Sequence, residues 1–270
     1  TFHPMMAFPS YLAIKDKSLA ERVEIMRDPK FKKQLLSEEI VTLAGPGSPV
    51  PPLVDMMIGQ FPQLAEKMFK LDHEGVVDYE QQNETSIGGQ ARRDGQTVWE
   101  KAYDIMLEDD GKALIYFPVY NYTEMNYDNV YTMLTHPKAL PGLSDGGAHV
   151  GYICDASFPT YLLSYWARDR KTDQISLSRA VQMLTADGAD YLSLSDRGRL
   201  KVGLKADINI IDHDQLSLKV PHMVKDLPAG GQRLLQEVTG YRATFVSGKQ
   251  VIANDQLTDA RPGRLVRAGT

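Results

Sequence analysis

The chain has 270 residues, a formal net charge of −5 and 43% hydrophobic residues, which suits one large domain or two small ones. No basic block offers the clustered positive surface that nucleic acid requires, and no apolar run reaches the length of a membrane span. The single cysteine, Cys154, excludes an intrachain disulfide framework and sets the expectation of a reducing, cytoplasmic compartment. The sequence opens Thr1-Phe2-His3-Pro4-Met5, with no initiator Met and no signal pattern, as a processed or truncated product does.

Residues 1–110 read as helical and irregular. Ser18 with Glu21 three residues on forms a capping box, and Leu19, Val23 and Met26 follow at helical spacing. Asp28-Pro29 interrupts that helix, and another is expected over Lys30 to Leu36. Gly45 to Pro52 reads as a loop, since proline removes donors. Trp99, Ala102, Tyr103 and Met106 define one face of a helix from about Thr97 to Leu107, ended by Asp109-Asp110-Gly111. Ala113 to Tyr120 is almost wholly apolar, which predicts a strand buried on both faces of a parallel sheet. A helix is expected from about Tyr127 to Leu134, closed by His136-Pro137. A second strand is expected over Leu140 to Ser144. Helices follow through Phe158, Tyr161, Leu162, Tyr165 and Trp166, and from Leu177 with Ser176 as cap. This alternation predicts an α/β fold. Beyond residue 197 the texture turns to β: Ala206 to Ile211, then Ala243 to Ser247 and Gln250 to Ala253 around Gly248-Lys249, a hairpin signal. The expected organisation is 1–110, 111–197 and 198–270.

The chemistry concentrates in Gly142-Leu143-Ser144-Asp145-Gly146-Gly147-Ala148-His149. An aspartate at the end of a short strand, followed by glycines, has two readings. It caps a turn through its side chain, or it stands at the strand end where parallel α/β folds and barrels keep catalytic groups. The residues alone leave both open.

Ser144-Asp145-Gly146-Gly147-Ala148-His149, with Asp155-Ala156-Ser157-Phe158-Pro159-Thr160-Tyr161, resembles the D-aminoacylase and N-acyl-D-amino-acid deacylase branch of the amidohydrolase superfamily. So do Asp196-Arg197-Gly198-Arg199-Leu200, Asp226-Leu227-Pro228-Ala229-Gly230-Gly231 and Arg261-Pro262-Gly263-Arg264-Leu265. The resemblance covers nearly the whole chain. It implies the C-terminal part of a (β/α)8 metal-dependent hydrolase barrel followed by a small β-sandwich module. It also implies one or two divalent metals, usually zinc, that activate water, and a small N-acyl amino acid as substrate. Asp145 is then the catalytic carboxylate and a metal contact, taking a proton from water and passing it to the leaving amine. Ser144, Gly146, Gly147, His149 and Asp155 become the substrate-binding candidates.

The same resemblance exposes a gap. The family's His-x-His pair has no counterpart, because His3, His73, His136, His149, His213 and His222 are all isolated. A catalytic zinc needs about three protein ligands, and this sequence offers one. The chain is therefore expected to be a fragment, or one partner of a barrel that a missing N-terminal half or a second chain completes. It is expected to be inactive alone, with homo-oligomerisation a further possibility. The alternative is a non-catalytic remnant or interaction subunit.

Other residues carry competing readings. His149 serves either substrate or a structural hydrogen bond. Asp155 is expected as the N-cap of the helix beginning near Ala156. Cys154 reads as a small buried hydrophobe. Tyr116, Tyr120, Tyr122, Tyr127 and Tyr131 read as packing, with a substrate wall as the second reading. His213 between Asp212 and Asp214 reads as a polar turn before a surface metal site. Arg92-Arg93 and the Lys30, Lys32, Lys33 group read as solvated faces.

Overall fold

The computed structural model describes residues 3–48, 50–142, 146 and 149–266. Helix and strand are mixed, and the chain divides into two compact units, residues 1–127 and 128–270.

The first unit is built mainly of short helices. Ser18 and Glu21 close a complete capping box on Leu19–Met26, and Asp28 caps Pro29–Leu36, with the proline at the first helical position where its missing N–H costs nothing. The loop ends at Pro52, which opens the helix Pro52–Gly59. A second capping box, Thr97 with Glu100, starts Val98–Ile105. These helices bury one core that includes Met5, Phe8, Tyr11, Met26, Leu35, Phe61, Ile87, Ala102 and Tyr103. Trp99 stacks on Phe61 at 4.1 Å and meets Phe8 edge-on. The buried Tyr103 hydroxyl donates to the Met26 carbonyl at 2.7 Å, so it is satisfied.

The run Ala113 to Tyr120 departs from expectation. Only Ile115–Tyr116 is strand, and it pairs antiparallel with Phe69–Lys70. Pro118 has no N–H for a ladder, and beyond it Val119 and Tyr120 are exposed at 61% and 83%. The tyrosines nearby follow their packing reading in part. The buried Tyr122 hydroxyl donates to the Gln81 carbonyl, and the Tyr116 and Tyr127 hydroxyls meet at 3.1 Å.

The second unit begins with the helix Asp128–Thr135. His136-Pro137 follows it, as the sequence predicts, with His136 Nδ1 accepting from the Lys138 N–H. Residues 140–142 carry no strand, and Leu143 to Asp145 lie outside the described residues. Phe158–Tyr161 runs directly into a π-helical stretch, Leu162–Asp169. Leu177–Leu184 starts at its Ser176 cap. Arg170 has 2% of its side chain exposed, bonds Asp128 at 2.6 Å and lies 5.0 Å from the Trp166 ring centroid, fastening the start of the first helix to the end of the π-helix.

The C-terminal part is β. Strands Gln256–Leu257, Lys249–Ala253, Tyr241–Val246 and Ile208–Ile211 form one antiparallel sheet in that order. Its hairpin turns at Ser247-Gly248, both with positive φ (49° and 75°), as a two-residue primed turn demands. The ribbons His222–Leu227 with Gly231–Leu235, and Ser217–Leu218 with Val238–Thr239, stand beside it in sequence. Every strand pairing among the described residues is antiparallel. The expected parallel arrangement is therefore absent there, and the strand pairings among the described residues close no barrel. No described helix is long and apolar enough to cross a membrane.

Candidate functional site

The glycine-rich segment lies between the helix Asp128–Thr135 and the 3-10 turn Asp155–Ser157. Three of its candidate residues, Ser144, Asp145 and Gly147, lie outside the described residues. Gly146 sits in an exposed turn. His149 is exposed and left-handed, with φ 51°. That backbone bend aims the His149 carbonyl at the next turn, where it accepts from the N–H groups of Tyr152 (2.8 Å) and Ile153 (3.0 Å). Its imidazole lies 6.2 Å from the Tyr152 ring.

Asp155 is not the N-cap. Cys154 occupies that place, with φ −135° and ψ 39° and no side-chain cap bond, and Asp155 is the first residue of the turn itself. One residue of offset takes Asp155 out of the capping position, and the residue is exposed. Cys154 is half-buried, and burial, helped by the Asp155 charge against that of Arg233, pushes its thiol pKa up. A protonated thiol is a poor nucleophile, which agrees with the packing reading.

Sequence reasoning missed how this segment is anchored. The Leu234 N–H donates to the Val150 carbonyl at 2.7 Å. The Ser157 hydroxyl donates to Gln236 Oε1. Thr160 Oγ1 and the Tyr241 hydroxyl lie 2.9 Å apart. Residues 150–160 are thus tied to the C-terminal β part by partners 79 and 81 residues away, a separation that no local pattern encodes.

A separate polar cleft of about 370 Å³ in the first unit is lined by Lys70, His73, Glu74, Gln90, Ile105 and Glu108. Burial opposes the charge of Lys70, but its bond to Glu108 at 2.7 Å and the charges of Glu108, Asp109 and Asp72 outweigh burial and raise its pKa. Lysine and acids in this cleft neutralise one another.

Among the described residues no three His, Cys, Asp or Glu side chains are placed to hold a metal ion. His213 forms a polar turn, its Nε2 bonded to the Leu163 carbonyl at 2.9 Å, while Asp212 bonds Arg242 at 2.6 Å. The described donors therefore do not fit a divalent metal of the kind that activates water.

Asp196 belongs to a motif that the structure explains as architecture. Bonds from Arg197 and Lys205 hold its carboxyl down to about 2. Gly198 follows with φ 83°, and a Cβ there would lie 2.6 Å from that of Ala189.

No curated protein and no solved structure matches the chain. The model of the amidohydrolase family matches residues 63–252, well over half of it, and members of that family are generally metal-dependent. That match runs from the polar cleft through the glycine-rich segment to the β hairpin, so the chain belongs to the amidohydrolase family.

Proposed function

We propose that this chain is the C-terminal portion of a (β/α)8 hydrolase with a β-sandwich module, cleaving the amide bond of N-acyl-D-amino acids or related acyl amides. The observation that carries the reading is the run Ser144 to His149 followed by Asp155 to Leu163, within a chain whose family is established over residues 63–252. Water adds to the acyl carbonyl, the C–N bond breaks, and a carboxylate and a free amine leave. Asp145 takes the proton from the attacking water and returns it to the departing nitrogen, a carboxylate acting first as base and then as acid. His149 and Asp155 contact the substrate, with Ser144, Gly146 and Gly147 lining the approach.

Zinc, one or two ions, is the metal we assign to the complete enzyme, where it would lower the pKa of water. The isolated histidines of this chain do not supply its ligand set, so we assign the remaining ligands to an N-terminal half or a second polypeptide. A second reading, an interaction subunit without activity of its own, rests on the same six isolated histidines. The test is turnover of N-acetyl-D-methionine by zinc-loaded enzyme containing this chain. Asp145→Asn is expected to lower kcat by about a thousandfold or more, in the range for loss of an essential proton-transfer group. Undiminished turnover in that variant sinks the mechanism.

A further inference from the structure

Gln236 lies just after the ribbon strand Gly231–Leu235, and its side chain uses both ends of its amide. Nε2 donates to the Lys219 carbonyl at 2.9 Å, and Oε1 accepts from the Ser157 hydroxyl. Two residues before it, the Leu234 N–H holds the Val150 carbonyl at 2.7 Å. The ribbon is itself stiffened by the two-bond ion pair between Arg233 and Asp226, at 2.8 and 2.6 Å. Segment 149–157 is thus gripped near both ends by one ribbon of the β module: at Val150, beside His149, and at Ser157, two residues past Asp155.

We propose that Gln236 is a positioning residue for the substrate end of the site, acting through Ser157 to fix Asp155 and, with Leu234, His149. The proposal rests on the reading of His149 and Asp155 as substrate contacts. A side chain that touches no substrate sets the geometry of those that do, and small displacements of a binding group are costly. The amide suits the task because it accepts from the serine while donating to a fixed carbonyl, which holds its orientation. Alanine at 236 frees the serine end of the segment and leaves the Leu234 bond in place.

The test combines amide hydrogen exchange with kinetics on N-acetyl-D-methionine, using the zinc-loaded enzyme that contains this chain. In Gln236→Ala, exchange of the Phe158 amide, which donates to the Asp155 carbonyl at the serine end, is expected to speed up about tenfold, the equivalent of one hydrogen bond, while amides of the hairpin Tyr241–Val246 and Lys249–Ala253 keep their rates. KM is expected to rise about tenfold with kcat within about twofold, the signature of lost binding geometry. Gln236→Glu, which keeps the acceptor for Ser157 but loses the donor to the Lys219 carbonyl, restores only part of both. Ser157→Ala reaches the same bond from the other end if Gln236→Ala does not fold. Unchanged exchange at Phe158, or faster exchange with an unchanged KM, overturns the proposal. If the unaltered enzyme does not turn over N-acetyl-D-methionine, the substrate assignment fails, and the exchange rates still decide whether Gln236 holds the segment.

Discussion

Gly240 separates the strands Val238–Thr239 and Tyr241–Val246 with φ 106°, a backbone angle that residues with a side chain rarely adopt. A Cβ at this position would lie 2.7 Å from Leu216 Cα, 3.0 Å from Leu216 N and 3.1 Å from the Asp212 carbonyl oxygen. None of these atoms can retreat by changing a rotamer. Leu216 is fully buried, and the Gly240 carbonyl is pinned by the Asp212 N–H at 2.8 Å. The strained backbone costs about 1–3 kcal/mol, and forced overpacking adds about 1–3 kcal/mol. Gly240→Ala should therefore lose roughly 2–6 kcal/mol by these two contributions. Gly248 is the internal control. Its φ is 75°, and a Cβ added there would have the Ala206 Cβ, at 4.0 Å, as its nearest neighbour, so Gly248→Ala should cost only about 1–2 kcal/mol of backbone strain. Urea unfolding followed by Trp166 fluorescence, in a Trp99→Phe background, reads the second unit alone. With a slope of about 2–3 kcal/mol per molar, the Gly240→Ala midpoint should fall by about 0.7–3 M relative to its parent. Equal losses at the two glycines would refute the argument that the Leu216 backbone is what excludes a side chain.

The acid limb of stability should depend on Asp196. Its carboxyl is held below the ordinary value, at about 2, so its contribution is present above pH about 4, the unfolded value, and is lost as pH falls through about 2. Thermal melts of Asp196→Asn should show a flatter decline over that window than the parent, and an identical decline would remove Arg197 and Lys205 as its cause. Arg170→Met should destabilise the second unit by about 2–4 kcal/mol, because the buried guanidinium bonds Asp128 at 2.6 Å and the Thr172 carbonyl at 2.9 Å. Denaturant midpoints check this, and a loss under about 0.5 kcal/mol, typical of an ordinary surface site, would make the network ornamental. Cys154 should react with a disulfide reagent at pH 7 more slowly than a free thiol, since burial raises its pKa. Rates at or above that of free cysteine would reveal an activating group.

Capped helices were the most legible part of the fold. Ser18 with Glu21, and Ser176, each mark a start that the structure keeps, because a cap is a local bond that its own neighbours decide. The run Ala113 to Tyr120 misled for the opposite reason. An unbroken apolar string does not say how many residues pair as strand, and only Ile115 and Tyr116 do, with Pro118 ending the ladder two residues on. The small hairpin Asp72–His73 with Val76–Val77 turns at Glu74 and Gly75, both with positive φ. Glutamate is not the usual first residue of such a turn, which hid it. At the site, the Asp-Gly-Gly pattern marked a segment, but its anchors on Leu234 and Gln236 come from far along the chain. Asp155 shows how fine the limit is: an N-cap and a first-turn residue differ by one position.

The central claim is that this chain brings the acid–base aspartate of an amidohydrolase whose metal ligands lie mainly elsewhere. Native mass and zinc content of the species that hydrolyses N-acetyl-D-methionine test it most directly. The account predicts that activity and about one or two zinc ions travel with an assembly or longer polypeptide that contains this sequence, and that this chain by itself holds neither. Stoichiometric zinc and turnover in the chain alone, with a mass that leaves no room for a second polypeptide, would contradict it.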